Sequence, residues 1–121
     1  MKIVDLSKLD EKDVSSEPLF TGKVHTQALL EEEFKSNKLQ IVNVKFDKGA
    51  RNKFHTHTEK QILFVIEGKG VVADRQKEYE LKPGMAVIIP AGEDHWHGAV
   101  KGSRFAHLSM IGQPQVMKIT G

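Results

Sequence analysis

The sequence predicts an all-β protein, folded as a sandwich or a barrel of short strands, and three observations support this. Segments rich in β-branched and other apolar residues recur along the chain, as is typical of strands. Turn signals that contain glycine or proline separate them at intervals of about eight to twelve residues, the spacing of all-β sandwiches and barrels. No long stretch repeats its apolar residues with the period of a helix.

The first 38 residues are expected to form an arm and one strand. Residues 1–19 are mixed in character and are interrupted by serines and by Pro18, which predicts an arm with one short strand or turn. Residues 24–29 are a plausible strand. Residues 30–38 run from acidic to basic and are interpreted as a charged connector.

The barrel core is predicted at residues 39–111, so that the whole chain, 1–121, forms one domain. Gly68, Lys69 and Gly70 predict a tight hairpin in which the glycines take positive φ. Pro83 and Gly84 fit the two central positions of a type II turn. The predicted strands are residues 39–46, 61–67, 71–73, 78–81, 85–89, 95–100 and 104–111, and the tail at 112–121 is expected to add an edge strand.

The composition suits a soluble domain and excludes several classes of function. The chain has 121 residues, of which 39% are hydrophobic and 28% charged. A net charge of +2 without a basic run argues against nucleic-acid binding. No apolar run approaches the length of a membrane span, and the start lacks the apolar core of a signal peptide, so we expect a cytoplasmic protein. Without cysteine, any metal must be held by nitrogen and oxygen.

Two predicted strands, residues 61–66 and 85–89, are apolar on both faces. The interior of a small barrel covers one face only, and the other face needs a second layer. That layer can be an N-terminal arm or a partner subunit. A chain of this length has little else to supply it, so we expect a homodimer or a higher homo-oligomer.

Histidines in two places predict a metal site. His55, His57 and Gln61 are separated by even numbers of residues, so on an extended strand their side chains share one face. His95 arrives later, behind a turn with proline and glycine. Imidazole nitrogen is a donor that suits Mn, Fe, Co, Ni, Cu and Zn. Three histidines and a glutamine leave positions open on a six-coordinate ion, which favours a reactive site.

The spacing of nine residues resembles the two sequence motifs of the cupins. This resemblance covers residues 39–111 and implies a double-stranded β-helix, which is a jelly-roll barrel. It also implies a metal inside the barrel, held by the three histidines and the glutamine of the motifs. The nine residues are Gly49, His55, His57, Gln61 and Gly68 in the first motif, and Gly84, Pro90, Gly92 and His95 in the second.

The chain departs from the cupin motifs at two positions. Gln61 stands where a glutamate is usual, and Ala99 stands where an asparagine is usual. A neutral ligand set leaves a 2+ ion its full charge, so that it polarises a bound oxygen more strongly. The 3+ state is stabilised less, which favours polarising a carbonyl or alkoxide over oxygen chemistry.

A narrower resemblance is to bacterial manganese-dependent hydroxynitrile lyases of the cupin type and to carboxymuconolactone-decarboxylase-like cupins. It implies Mn(II) as the first candidate, with Fe(II), Co(II), Ni(II) and Zn(II) as alternatives. It also implies that His97 or His107 handles a proton during catalysis. An apolar pocket is expected from Val42, Val44, Leu63 and Ile111. The resemblance rests on residues 20–22, 49–51, 95–98 and 106–108, together with the metal motif.

Three functions follow as hypotheses. The first is a metal-dependent lyase that acts on a small cyanohydrin-like, hydroxy or carbonyl substrate. The second is a metal-dependent dioxygenase that uses the same ligands, and the third is a non-catalytic module that binds a small molecule.

Overall fold

The computed structural model describes residues 1–30 and 39–121. Apart from residue 30, the connector predicted at 30–38 lies outside the described residues. Within them, one short 3-10 turn at Leu6–Lys8 precedes the strands. The strands are β1 (Lys12–Asp13), β2 (Phe20–Thr21), β3 (Val24–Ala28), β4 (Leu39–Phe46), β5 (Arg51–Asn52), β6 (His55–His57), β7 (Gln61–Gly68), β8 (Gly70–Ala73), β9 (Glu78–Leu81), β10 (Ala86–Ile89), β11 (Trp96–Ala99), β12 (Phe105–Gly112) and β13 (Met117–Ile119).

Two antiparallel sheets pack around one apolar core. The larger has the order β1-β3-β4-β12-β7-β10, and the smaller has the order β2-β5-β11-β8-β9. Leu63 and Phe105 of the larger sheet share one buried cluster with Val72 and Leu81 of the smaller sheet. The all-β prediction is therefore confirmed, in the form of a jelly-roll barrel. In the part of the chain that the structure describes, no helix is long and apolar enough to span a membrane.

The connection at residues 68–70 corrects one prediction, because it is a crossover and not a hairpin. Strand β7 pairs with β12 and β10, whereas β8 pairs with β11 and β9 in the other sheet. Gly68 has a φ of 75°, but Gly70 does not take positive φ. A Cβ at Gly70 would lie 2.4 Å from the ring of Phe105. The second glycine is thus needed for close packing and not for a turn.

The outward face of β7 and β10 is apolar. On β7 and β10, the side chains of Phe64 and Ile88 are 39% and 65% exposed, while Leu63 and Ile89 point inward and are buried. The expectation that both faces of these strands are apolar is confirmed. Within the described residues the outer face is open at these positions.

The carboxyl-terminal tail forms an edge strand, as expected. Strand β13 pairs with β6 in a two-stranded sheet, with Met117 opposite His57 and Ile119 opposite His55. The tail therefore runs directly beside the first histidine pair.

Candidate metal centre

The two histidine segments meet through their backbones. The amide of His55 donates to the carbonyl oxygen of His95 at 2.9 Å, and the amide of His95 donates back to His55 at 3.1 Å. The prediction that His55, His57 and Gln61 lie on one strand is wrong, because β6 ends at His57 and β7 begins at Gln61. The turn between these strands still leaves His55 and Gln61 buried, and the ring of His57 lies 5.0 Å from that of His55.

Three histidines form a buried cluster. Ring nitrogens of His55, His95 and His97 all lie within 4.8 Å of one another. His57 is outside that group, with its ring centroid 5.9 Å from that of His95. His97, which the sequence suggested as a catalytic residue, lies in this group, and the predicted ligand His57 lies beside it.

Hydrogen bonds fix the tautomers of two of these rings. Nδ1 of His55 donates to the carbonyl oxygen of Lys53 at 2.7 Å, and Nδ1 of His95 donates to that of Glu93 at 2.9 Å. A carbonyl oxygen can only accept, so each Nδ1 must carry the proton. Each Nε2 then presents a lone pair, which is the state that binds a metal.

His57 adopts the same state through a different partner. Its Nδ1 donates to Oε1 of Gln115 at 2.9 Å. Its Nε2 is buried and, among the described residues, has no hydrogen-bond partner. A buried polar atom without a partner is unfavourable, and a metal ion would satisfy it.

Gln61 supplies the most direct sign of a cation position. Its Nε2 donates to the hydroxyl of Ser109 at 2.8 Å, which turns Oε1 toward His95. That oxygen lies 3.2 Å from Nε2 of His95. Because His95 carries its proton on Nδ1, two lone pairs face each other. Such a pair repels unless a cation lies against both atoms, so the residues present fit a metal ion.

Burial keeps the candidate ligands neutral. It lowers the pKa of His55 to about 3, with repulsion from a protonated His95 as the next cause. Burial also lowers the pKa of His57 and of His95. A histidine binds a metal only when unprotonated, so at neutral pH no proton has to be displaced.

A second hydrogen-bonded chain leads inward from the cluster. The amide of His97 donates to Oδ1 of Asn52 at 2.8 Å, which places the Asn52 amide nitrogen 3.2 Å from Nε2 of His97. The same nitrogen lies 3.4 Å from Nδ1 of His97, and that Nδ1 lies 2.9 Å from Nε2 of His107. Burial lowers the pKa of His97 well below its ordinary value and that of His107 to about 4.

A cavity of about 300 Å³ opens onto the cluster. Val42 and Val44 are among its lining residues, as predicted, together with Asn52 and His97. Leu63 and Ile111, which were predicted to line the pocket, are buried but are not part of the cavity wall. His107 is fully buried and is not part of that wall either, so it can reach a ligand only through His97.

Three functional residues were missed by the sequence analysis. Ser109 lies two residues after His107 on β12, so the alternation of side chains along a strand could have placed it on the same inner face. Asn52 lies on a strand of two residues, and Gln115 lies in an irregular segment ahead of β13. No local pattern marks either of them.

Comparisons with known proteins identify the family. The family model of the cupin domain matches residues 42–111. The chain belongs to the cupin family. A cupin-like protein from Thermotoga maritima is 35% identical and has a TM-score of 0.80, with 88% of this chain and 82% of that chain covered.

Two further relatives carry names that describe reactions. (R)-Mandelonitrile lyase from Granulicella tundricola is 39% identical over 72 residues, which are 56% of this cupin and 53% of the relative. The chain thus spans about half the length of that curated relative. A predicted oxalate decarboxylase from Thermotoga maritima is 25% identical, with a TM-score of 0.82 over 92% of this chain and 98% of the other. Members of the family thus include proteins named as enzymes.

Proposed function

We propose that this cupin is a metal-dependent lyase, which cleaves a small cyanohydrin-like, hydroxy or carbonyl substrate. The observation that best supports a bound metal ion is the distance of 3.2 Å between Nε2 of His95 and Oε1 of Gln61, whose lone pairs face each other. The similarity to a mandelonitrile lyase supports the class of reaction.

His55, His57, Gln61 and His95 would hold a divalent ion, with Mn(II) as the first candidate. All four are neutral donors, so the ion keeps its full charge. When bound, it supplies a Lewis acid that polarises the substrate oxygen and lowers the pKa of the substrate hydroxyl.

His97 accepts the hydroxyl proton. It is at the cavity wall, burial keeps it neutral at pH 7, and its Nε2 lies 3.2 Å from the amide nitrogen of Asn52. With its resting proton on Nδ1, His97 takes up the substrate proton at Nε2 in place of the Asn52 contact, and the Nδ1 proton passes to His107, whose Nε2 lies 2.9 Å away. Because burial lowers the pKa of His107 to about 4, the extra proton is held weakly. It returns by the same path to the departing carbanion-like fragment, so His97 acts first as a base and then as an acid.

Part of the cavity wall suits a small apolar group. Val42 and Val44 contribute apolar surface, and a volume of about 300 Å³ is at the lower limit of ordinary ligand sites. An aliphatic or aromatic cyanohydrin offers one hydroxyl to the metal and one apolar group to these walls.

An anaerobic assay tests the proposal. Protein loaded with Mn(II) should convert mandelonitrile to benzaldehyde at the same rate with and without oxygen. The matched control is His97→Gln, which should keep its metal by elemental analysis and lose at least about 100-fold in kcat. Turnover that requires oxygen would support the dioxygenase, and tight binding without turnover would support a binding module.

A further inference from the structure

The tail of the chain contributes to the metal centre through one side chain. His55 and His95 each donate Nδ1–H to a backbone carbonyl two residues earlier. His57 instead donates to the side chain of Gln115, which is 58 residues away. Its orientation therefore depends on where the tail lies.

The tail is held against β6 by its backbone. The amide of Thr58 donates to the carbonyl oxygen of Val116 at 3.0 Å, and the amide of Thr120 donates to Phe54 at 2.9 Å. The amide of Val116 donates to the hydroxyl of Thr58 at 2.8 Å. These bonds fix the backbone on both sides of His57, so Gln115 meets the ring at a set position.

We propose that Gln115 is a positioning residue for the metal ion, acting by holding His57 with its proton on Nδ1 and its Nε2 free. This inference rests on the proposed metal site. Without an acceptor at Nδ1, the neutral ring can carry its proton on Nε2 instead, and that tautomer cannot bind the ion. Such acceptors change metal affinity by about 10- to 100-fold in other metal sites.

A structural alternative is that Gln115 only helps to attach the tail. Three hydrogen bonds that involve backbone amides already join the tail to the strand segment, so one more side-chain bond adds little to its attachment. If the bond only attached the tail, it would not explain why Nε2 of His57 is buried without a hydrogen-bond partner among the described residues.

Three variants of the full-length protein separate these readings, with Mn(II) affinity measured by competition with a chelator. Gln115→Ala should bind Mn(II) at least about 10-fold more weakly. Gln115→Glu, which keeps an acceptor and adds charge, should bind at least as tightly as the unaltered protein. Gln113→Ala is the control from the same tail, because its amide donates to Gln40 and not to a histidine, and it should leave affinity unchanged.

The tautomer itself gives a readout that does not need the metal. In ¹⁵N spectra of the metal-free protein, His57 should be protonated on Nδ1, and Gln115→Ala should produce a mixture of both tautomers. Equal Mn(II) affinity and an unchanged tautomer in Gln115→Ala would overturn the proposal for Gln115. If the unaltered protein binds no metal at all, the proposed function fails, and the tautomer measurement alone decides whether Gln115 positions His57.

Discussion

Acidification should destabilise the metal-free protein well before its carboxylates titrate. The folded state holds His55 at a pKa of about 3 and His107 at about 4, both chiefly because of burial. In the unfolded chain both rings return to about 6.5. The folded protein thus binds fewer protons than the unfolded chain. The contribution of the two rings to stability is fully present above pH 6.5 and is lost as the pH falls toward the folded pKa values.

The size of the effect follows from the difference in bound protons. Between pH 7 and pH 5, each ring becomes almost fully protonated in the unfolded chain and stays almost fully neutral in the folded protein. This costs about 2 kcal/mol for each ring, or about 4 kcal/mol for the two. A loss of this size is a large part of the stability of an ordinary domain, which is about 5–15 kcal/mol.

Urea unfolding in the presence of a chelator measures this loss. The single tryptophan, Trp96, is 7% exposed and should report unfolding by its fluorescence. We expect the urea midpoint to fall by roughly 2 M between pH 7 and pH 5, for an m-value of about 2 kcal/mol per M. In His107→Gln the difference between the two pH values should shrink by about 2 kcal/mol, whatever its stability at pH 7. Equal midpoints at both pH values, or an unchanged difference in His107→Gln, would refute the reasoning.

Three substitutions test other parts of the structure. Gly68→Ala places a Cβ 1.8 Å from a carbonyl oxygen and should cost about 3 kcal/mol of unfolding free energy. The control Gly84→Ala, with open space around the new Cβ, should cost only about 1 kcal/mol. Equal losses in the two variants would contradict the crossover geometry. Asn52→Ala should lower kcat about 10-fold at unchanged metal content, because Asn52 holds His97; a loss of metal would argue against this role. Ile88→Lys, at an exposed position of the outer face, should convert a dimer to a monomer in sedimentation experiments, with little change in Tm. If the unaltered protein is already a monomer, the dimer is excluded.

Much of the barrel could be read from local pattern. The predicted bounds of 39–46 and 78–81 agree with β4 and β9. Such strands are determined by the alternation of apolar and polar residues and by turn residues only a few positions away. The spacing of the histidines likewise identified side chains that the structure brings together.

Features that depend on distant contacts could not be read in this way. Gly68 and Gly70 mark a change of direction, but a turn sequence does not state which sheet the next strand joins. Leu63 and Ile111 were expected in the pocket from the family resemblance, and both are buried, but a sequence motif does not give their depth along the barrel axis relative to the cavity. Gln115 meets His57 across 58 residues, and only the folded tail brings them together.

The backbone bridge between His55 and His95 also links metal binding to the folding equilibrium. These residues are separated by 40 positions in the chain, so an unfolded chain does not hold them side by side. An ion that binds the folded state alone raises the unfolding free energy by about 2.7 kcal/mol at a hundred times its Kd. The supply of metal in the cell would thereby set how long this cupin resists unfolding and proteolysis, apart from any reaction that it catalyses.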